Sequence, residues 1–173
     1  MRLVHLPDVV TVLLDVVAWG LVHAGTGYVA HRLPLRFLER DRWLWRERGW
    51  ERQGAFYRRT LRIARWKDRL PEAGATFAGG VSKRHVPADD AGGLERFVIE
   101  TRRAETGHVL AMLPGPLFAL WNPAGVAVVM VAYGVLVNLP FVAIQRYNRI
   151  RASRVLARAR SRSARGTSGS SIP

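Results

Sequence analysis

The sequence predicts an all-α integral membrane protein: an N-terminal transmembrane helix, an interfacial Arg/Trp-rich helical middle and a C-terminal helical hairpin. Three observations predict it. Hydrophobic residues make up 49% of the 173, and they gather into blocks although the chain carries a formal net charge of +14. Arginines crowd the segment after the first block and the tail after the last, while the opposite ends of those blocks carry almost none. Finally, the run from Val126 to Val137 leads through Asn138-Leu-Pro-Phe-Val-Ala-Ile-Gln-Arg-Tyr-Asn-Arg149 into Arg151 and Arg154. An apolar core followed by Tyr at headgroup depth and then arginines is how a helix leaves a bilayer on its cytoplasmic side.

The charge demands an anionic partner, and nucleic acid or an anionic membrane surface would both serve. Blockwise segregation of the apolar residues favours anionic membrane lipids and argues against nucleic acid. Only Lys67 and Lys83 are lysine; the remaining cations are Arg. The chain has no Cys, which excludes disulfides, thiolate metal sites and a Cys nucleophile.

The first apolar block runs from about Val9 to Ala30, long enough for the roughly 20 residues a crossing needs. A signal peptide is the rival reading. It wants a charged n-region and an A-x-A-like cleavage site, whereas here Asp8 offsets Arg2 and no such site occurs, so a retained helix is expected. From His31 to Arg69, arginines alternate with Trp43, Trp45, Trp50, Phe56, Tyr57 and Trp66. That is the composition of helices lying in the headgroup layer, with arginines on lipid phosphates. A solvated helical face explains the arginines but not the tryptophans. Stacking on single-stranded nucleic acid could use both, but not between two membrane-length blocks.

Residues 71–90 read as a loop, rich in Gly and Pro. A helix then begins near Gly92 and passes through His108 into a second block, Val109 to Trp121, interrupted by Pro114-Gly-Pro116. At about 20 Å this block is short for a crossing and should be a broken or re-entrant segment. After a turn over 122–125, the third block, Ala124 to Ile144, reaches about 31 Å and spans easily. The positive-inside rule puts the N-terminus outside, and the His31–Gly107 region and the C-terminus in the cytoplasm, making a multi-pass cell-membrane protein. Residues 1–158 are expected to form one domain, and 159–173 a disordered basic Ser/Arg/Gly tail.

Three places put ionisable groups beside an apolar segment. In Glu100-Thr-Arg-Arg-Ala-Glu-Thr-Gly-His108, helical spacing sets Glu100 and His108 on one face, with Glu105 one turn from His108. A carboxylate that fixes the tautomer of a His makes it a general base. The alternative is an Arg–Glu ladder that stiffens an amphipathic helix. Glu105-x-x-His108 also has di-metal ligand spacing, but the second such motif is missing, so neither metal nor cofactor is expected. The second place is Asp15, Trp19 and His23, spaced four apart inside the first block, where packing and catalysis are both open readings. The third is His85-Val-Pro-Ala-Asp-Asp90, whose H-x4-D spacing occurs in glycerolipid acyltransferases but here lies in an unlike, Pro-containing context. Ser82 lacks the second Gly of a nucleophile elbow, and no phosphate-binding Gly-rich loop is present, so direct transfer is favoured over a covalent acyl-enzyme.

Together, Trp66-Lys-Asp-Arg-Leu-Pro-Glu-Ala-Gly74, Ser82-Lys-Arg-His85, Glu100-Thr-Arg-Arg-Ala-Glu105 with His108, and Asn138-Leu-Pro followed by Gln145-Arg-Tyr-Asn-Arg149 resemble one family. It is the glycosyl-4,4'-diaponeurosporenoate acyltransferases of staphylococcal carotenoid biosynthesis, and the similarity covers roughly Trp50 to Leu156. The resemblance implies a small membrane acyltransferase that esterifies a sugar hydroxyl of a glycosylated carotenoid or terpenoid with a fatty acid. Its partners would be a lipid-like glycoside acceptor and an acyl donor. On this reading His108 is the base and Glu105 or Glu100 orients it. Lys67, Arg102 and Arg103 hold the anionic part of the donor, while Asn138, Tyr147 and Asn148 place the sugar. The reading from another class is a non-catalytic membrane scaffold, or lipid-binding assembly factor, for terpenoid enzymes.

Overall fold

The computed structural model describes residues 3–70 and 91–168. Its α-helices are α1 (Asp8–His31), α2 (Leu35–Glu39), α3 (Ala55–Arg59), α4 (Ala91–Met112) and α5 (Ala124–Ser168). Short 3-10 turns lie at Gly49–Gly54, Ile63–Arg65, Lys67–Arg69 and Gly115–Leu120, and no strand occurs among the described residues. The all-α class therefore holds. Helices α1 and α5 are long and apolar enough to cross a membrane. The H-x4-D element and Ser82 lie outside the described residues.

The chain packs as two compact units, the first made of Met1–Pro34 and Arg103–Ala143. Helix α1 starts after Pro7, whose carbonyl accepts both the Thr11 backbone N–H at 3.0 Å and the Thr11 hydroxyl at 3.2 Å. Asp8 in the first turn faces the positive end of the helix dipole. At the other end, one Arg103 guanidinium nitrogen donates to the Ala30, His31 and Leu33 carbonyls at 3.0, 2.8 and 3.0 Å, capping the helix terminus.

Burial along α1 is inverted relative to a water-soluble helix. Thr11, Asp15 and Trp19, four residues apart, are buried, while Val9, Val12, Leu13, Val16, Val17 and Leu21 are each more than half exposed. Helix α5 repeats the pattern, burying Ala127 and Asn138 and exposing Val128, Val129, Leu136 and Leu139. The buried carboxylate is paired: Asp15 Oδ1 accepts from Trp121 Nε1 at 2.7 Å and Asn122 Nδ2 at 2.8 Å. Of the two open readings for Asp15, these bonds supply the packing one.

Trp19 is the hub of this unit. Its indole stacks on Phe118 at 4.7 Å, meets Tyr133 at 5.0 Å and directs Nε1 at Met130 Sδ 3.4 Å away. The indole fits because Gly134 faces it; a Cβ there would lie 2.6 Å from Trp19 Cη2. The second apolar block is broken, as its length and prolines require. Helix α4 ends at Met112, and the Gly115–Leu120 turn lies so close to α5 that a Cβ on Gly115 would come 3.1 Å from Val131 Cα.

The second unit comprises Leu35–Arg102 and Ile144–Pro173. Its first part, the Arg/Trp-rich middle expected to be helical, is built of short helical pieces. The helical pieces are only a turn or two long, because Arg52, Gln53, Gly54 and Arg62 all take positive φ (48°, 55°, 85° and 48°) and break the helical path. Gly54 suits that region of backbone space; the other three are held there by the surrounding contacts. Leu94, Phe97, Ala152 and Leu156 form the apolar core. Helix α5 passes Pro140 without ending and runs on past Arg158 to Ser168. Residues 159–168, which composition assigned to a disordered tail, are thus helical, as their Ala and Arg content permits.

The Trp19–Gly134 contact yields a paired prediction. Gly134→Ala should lower the thermal midpoint of the detergent-solubilised protein, by overpacking worth about 1–3 kcal/mol. Gly125→Ala, where nothing lies within 4 Å of the added methyl, should leave the midpoint unchanged or raised. Equal tolerance of both substitutions would contradict the packing.

Candidate active site

In the first unit α4 lies close to α1, since a Cβ on Gly107 would sit 3.1 Å from the Ala30 methyl and 3.8 Å from the Thr26 carbonyl. The next residue, His108, faces α5. Its Nδ1 is 3.0 Å from Asn138 Oδ1, and Asn138 Nδ2 donates to the Gly134 carbonyl at 2.9 Å. The second bond orients the amide. With its nitrogen given to a carbonyl, its oxygen faces the ring, where it can accept from an N–H on Nδ1 of His108. Phe141 stacks on the imidazole at 4.7 Å with planes 9° apart, fixing the ring's tilt.

An amide therefore holds Nδ1 of His108. It can set the tautomer as a carboxylate would, without adding a negative charge beside the ring. Asn138, expected on the sugar, has both its polar groups engaged by His108 and Gly134 and is 2% exposed. Glu105 is fully buried one turn before His108, and Glu100, a further turn back, is half-buried.

The cations expected on an acyl donor are placed differently. Arg103 closes the C-terminal end of α1, as described above. Arg102 donates from one nitrogen to the Leu38 and Glu39 carbonyls at 2.7 and 2.9 Å, closing α2, and its guanidinium lies over the Trp45 ring. Lys67 pairs with the adjacent Asp68.

The second unit contains a buried cluster that the sequence reading missed. Glu51 is fully buried and accepts from Arg146 Nε at 2.8 Å, Arg146 Nη2 at 3.0 Å, the Tyr57 hydroxyl and the Arg48 backbone N–H. Arg146 also reaches the Leu44 and Arg46 carbonyls, both at 2.9 Å, and Arg149 donates to the Trp45 carbonyl at 3.0 Å. Every residue from Ile144 to Ile150 is buried, so this part of α5 is enclosed on all sides. Tyr147 packs against Tyr57 and Gly54, and Asn148 is 1% exposed; both were expected at a sugar in the interface. The missed signal was the irregularity of residues 44–54, whose unpaired carbonyls need donors such as long guanidinium groups.

Burial alone would raise the Glu51 pKa, but the Arg146, Tyr57 and Arg48 donors outweigh it and hold the carboxyl below its ordinary value. Tyr57 is pushed the other way, by burial and by the Glu51 carboxylate that accepts its proton. The signs give opposite windows. Glu51, depressed in the fold, contributes stability at pH values above its unfolded pKa of about 4.3, lost as the pH falls through its folded value. Tyr57, raised, contributes stability below about pH 10, lost as the pH rises towards its folded value. Thermal melts across pH should show a plateau falling on both sides, with Tyr57→Phe removing part of the alkaline limb. Glu51→Gln should cost about 3–5 kcal/mol at neutral pH by removing the carboxylate that balances the buried Arg146 charge. Retention of the full wild-type midpoint by that variant would show that the pair carries no stability.

The glycosyl-4,4'-diaponeurosporenoate acyltransferase family matches residues 41–158. Proteins of that name from Staphylococcus aureus strains bovine RF122 / ET3-1, MRSA252 and USA300 are each 25% identical to the chain over 138 residues, covering 80% of it and 83% of each relative. No solved structure matches. The matched residues hold His108, Asn138 and the Glu51–Arg146 pair, and with about two-thirds of its length inside the match, the chain belongs to the glycosyl-4,4'-diaponeurosporenoate acyltransferase family.

Proposed function

We propose that this chain is a multi-pass membrane acyltransferase that esterifies a sugar hydroxyl of a glycosylated carotenoid or related terpenoid, with His108 as general base. The observation that carries the reading is the His108–Asn138 hydrogen bond, because it engages Nδ1, and on this reading Nε2 takes the proton. Family membership supplies the chemistry and the acceptor class. The membrane reading rests on the outward-facing Val and Leu of α1 and α5, which bury about 25 cal/mol per Å² when covered by lipid chains rather than water. With the arginine-rich segments inside, the N-terminus is outside, the C-terminus cytoplasmic, and His108 near the cytoplasmic boundary. Residues 1–158 act as one functional domain.

In the proposed reaction, Nε2 of His108 removes the proton of the sugar hydroxyl as its oxygen attacks the acyl carbonyl of the donor. The oxygen–acyl bond forms, the bond from the acyl carbon to its leaving group breaks, and the imidazolium returns the proton to that group. Asn138 keeps the ring in its tautomer and Phe141 keeps it in place. With no Cys in the chain and no activated Ser among the described residues, direct transfer is the simplest route. Arg102 and Arg103 serve the fold in this scheme, by holding helix ends. Exposed arginines around Trp43 and Trp50 suit anionic headgroups.

The test is conversion of glycosylated carotenoid to its acyl ester in cells that supply the precursors, with protein level checked by blot. His108→Gln should reduce the rate on the order of 10²–10⁴-fold. Asn138→Leu should lower it less, because the ring survives while its tautomer is released. Near-normal ester from a normally expressed His108→Gln protein would defeat the assignment and favour the scaffold reading.

A further inference from the structure

The first unit carries a second polar pair that the proposed proton transfer does not use. His23 on α1 and Tyr133 on α5 approach edge to face, ring centroids 6.5 Å apart, beside the buried Trp19 indole. Both side chains reach the surface of the unit; Tyr133 is 41% exposed and His23 partly so. Neither the imidazole nor the phenol hydroxyl has a hydrogen-bond partner among the described residues, in contrast to Asp15 and Asn138 on the same two helices. Exposed Val and Leu, among them Leu21, Val129 and Leu136, lie on the same two helices. Two unpaired hydrogen-bonding groups at that depth are costly in lipid chains, and such residues mark ligand sites by default.

We infer that His23 and Tyr133 together bind the carbonyl of the ester linking sugar to apolar chain in the acceptor, which rests on the function proposed above. The chemistry fits, because an imidazole N–H and a phenol O–H are both donors and a carbonyl oxygen accepts two hydrogen bonds. The spacing fits as well. Tyr133 precedes Asn138 by five residues, about 7.5 Å along α5 towards the middle of the apolar block, and His23 lies about one turn of α1 from Thr26, the residue beside Gly107. A hexose ring bridges that distance. With its free hydroxyl at His108, its linkage carbonyl comes level with His23 and Tyr133, and the apolar chain continues along the outward faces of the helices. The family's name, a glycosyl-diaponeurosporenoate acyltransferase, describes an acceptor of that kind. The pair would thus discriminate a glycosyl ester from a glycosyl ether, whose linkage oxygen is a weaker acceptor.

The test is equilibrium binding of a glycosyl ester of a polyene acid, and of the matching glycosyl ether, to the full chain in nanodiscs. Binding is followed by quenching of indole fluorescence by the polyene, and no acyl donor is present. Wild type should bind the ester several-fold more tightly than the ether. Tyr133→Phe and His23→Phe, which keep ring packing, should each remove about 2–10-fold of ester affinity and leave ether affinity unchanged. His108→Gln should keep the ester preference, so loss of catalysis and loss of carbonyl recognition are separate readouts. No ester preference in wild type, or a preference retained by both Phe variants, would overturn the inference.

Discussion

Polar groups carried away from water must be paired within the chain, and both units are arranged around that requirement. In the first unit Asp15, Asn138 and Arg103 each meet a defined partner, and the apolar side chains turn outward. In the second, one arginine serves a carboxylate and two backbone carbonyls at once. The energetic logic is asymmetric. A satisfied buried pair contributes little net stability, but removing one partner exposes the full desolvation cost of the other. These contacts therefore act chiefly as specifications, excluding packings in which any member would be left alone.

Close approach is the second theme. The first unit brings helices together at Gly107, Gly115 and Gly134, each where a methyl group would collide with a neighbour. Small residues at helix contacts are how helices associate when lipid chains offer no hydrophobic driving force between them. One of these contacts also serves the site: Gly134 makes room for Trp19 and offers the carbonyl that orients Asn138. Packing and tautomer control thus meet at a single residue. An amide at this position adds no second buried charge that would need a partner of its own.

Much of the fold was legible in the sequence because its determinants are local and compositional. Block length against bilayer thickness identified α1 and α5, the two prolines identified the break after α4, and the absence of Cys removed whole classes of chemistry. Motif strings pointed to the family that the comparison then matched over residues 41–158. His108 stood out because it is a titratable group where a polar helix meets an apolar block. The helical state of residues 159–168 was missed, since Ser and Gly content outweighed the Ala and Arg between them.

What the sequence could not determine is which groups pair across the fold. It read Arg102 and Arg103 as holding the anionic part of an acyl donor, and could not foresee that each reaches helix-end carbonyls that are near only after the chain has folded. It read Tyr147 and Asn148 as interfacial, whereas this part of α5 is enclosed by the irregular segment before it. It set carboxylates one and two turns from His108, but could not foresee that Nδ1 meets Asn138, thirty residues on. The physical reason is common to all three. Hydrophobic segregation and helix length are properties of contiguous residues, while a hydrogen bond depends on atoms within about 3 Å, whose meeting only the tertiary structure decides.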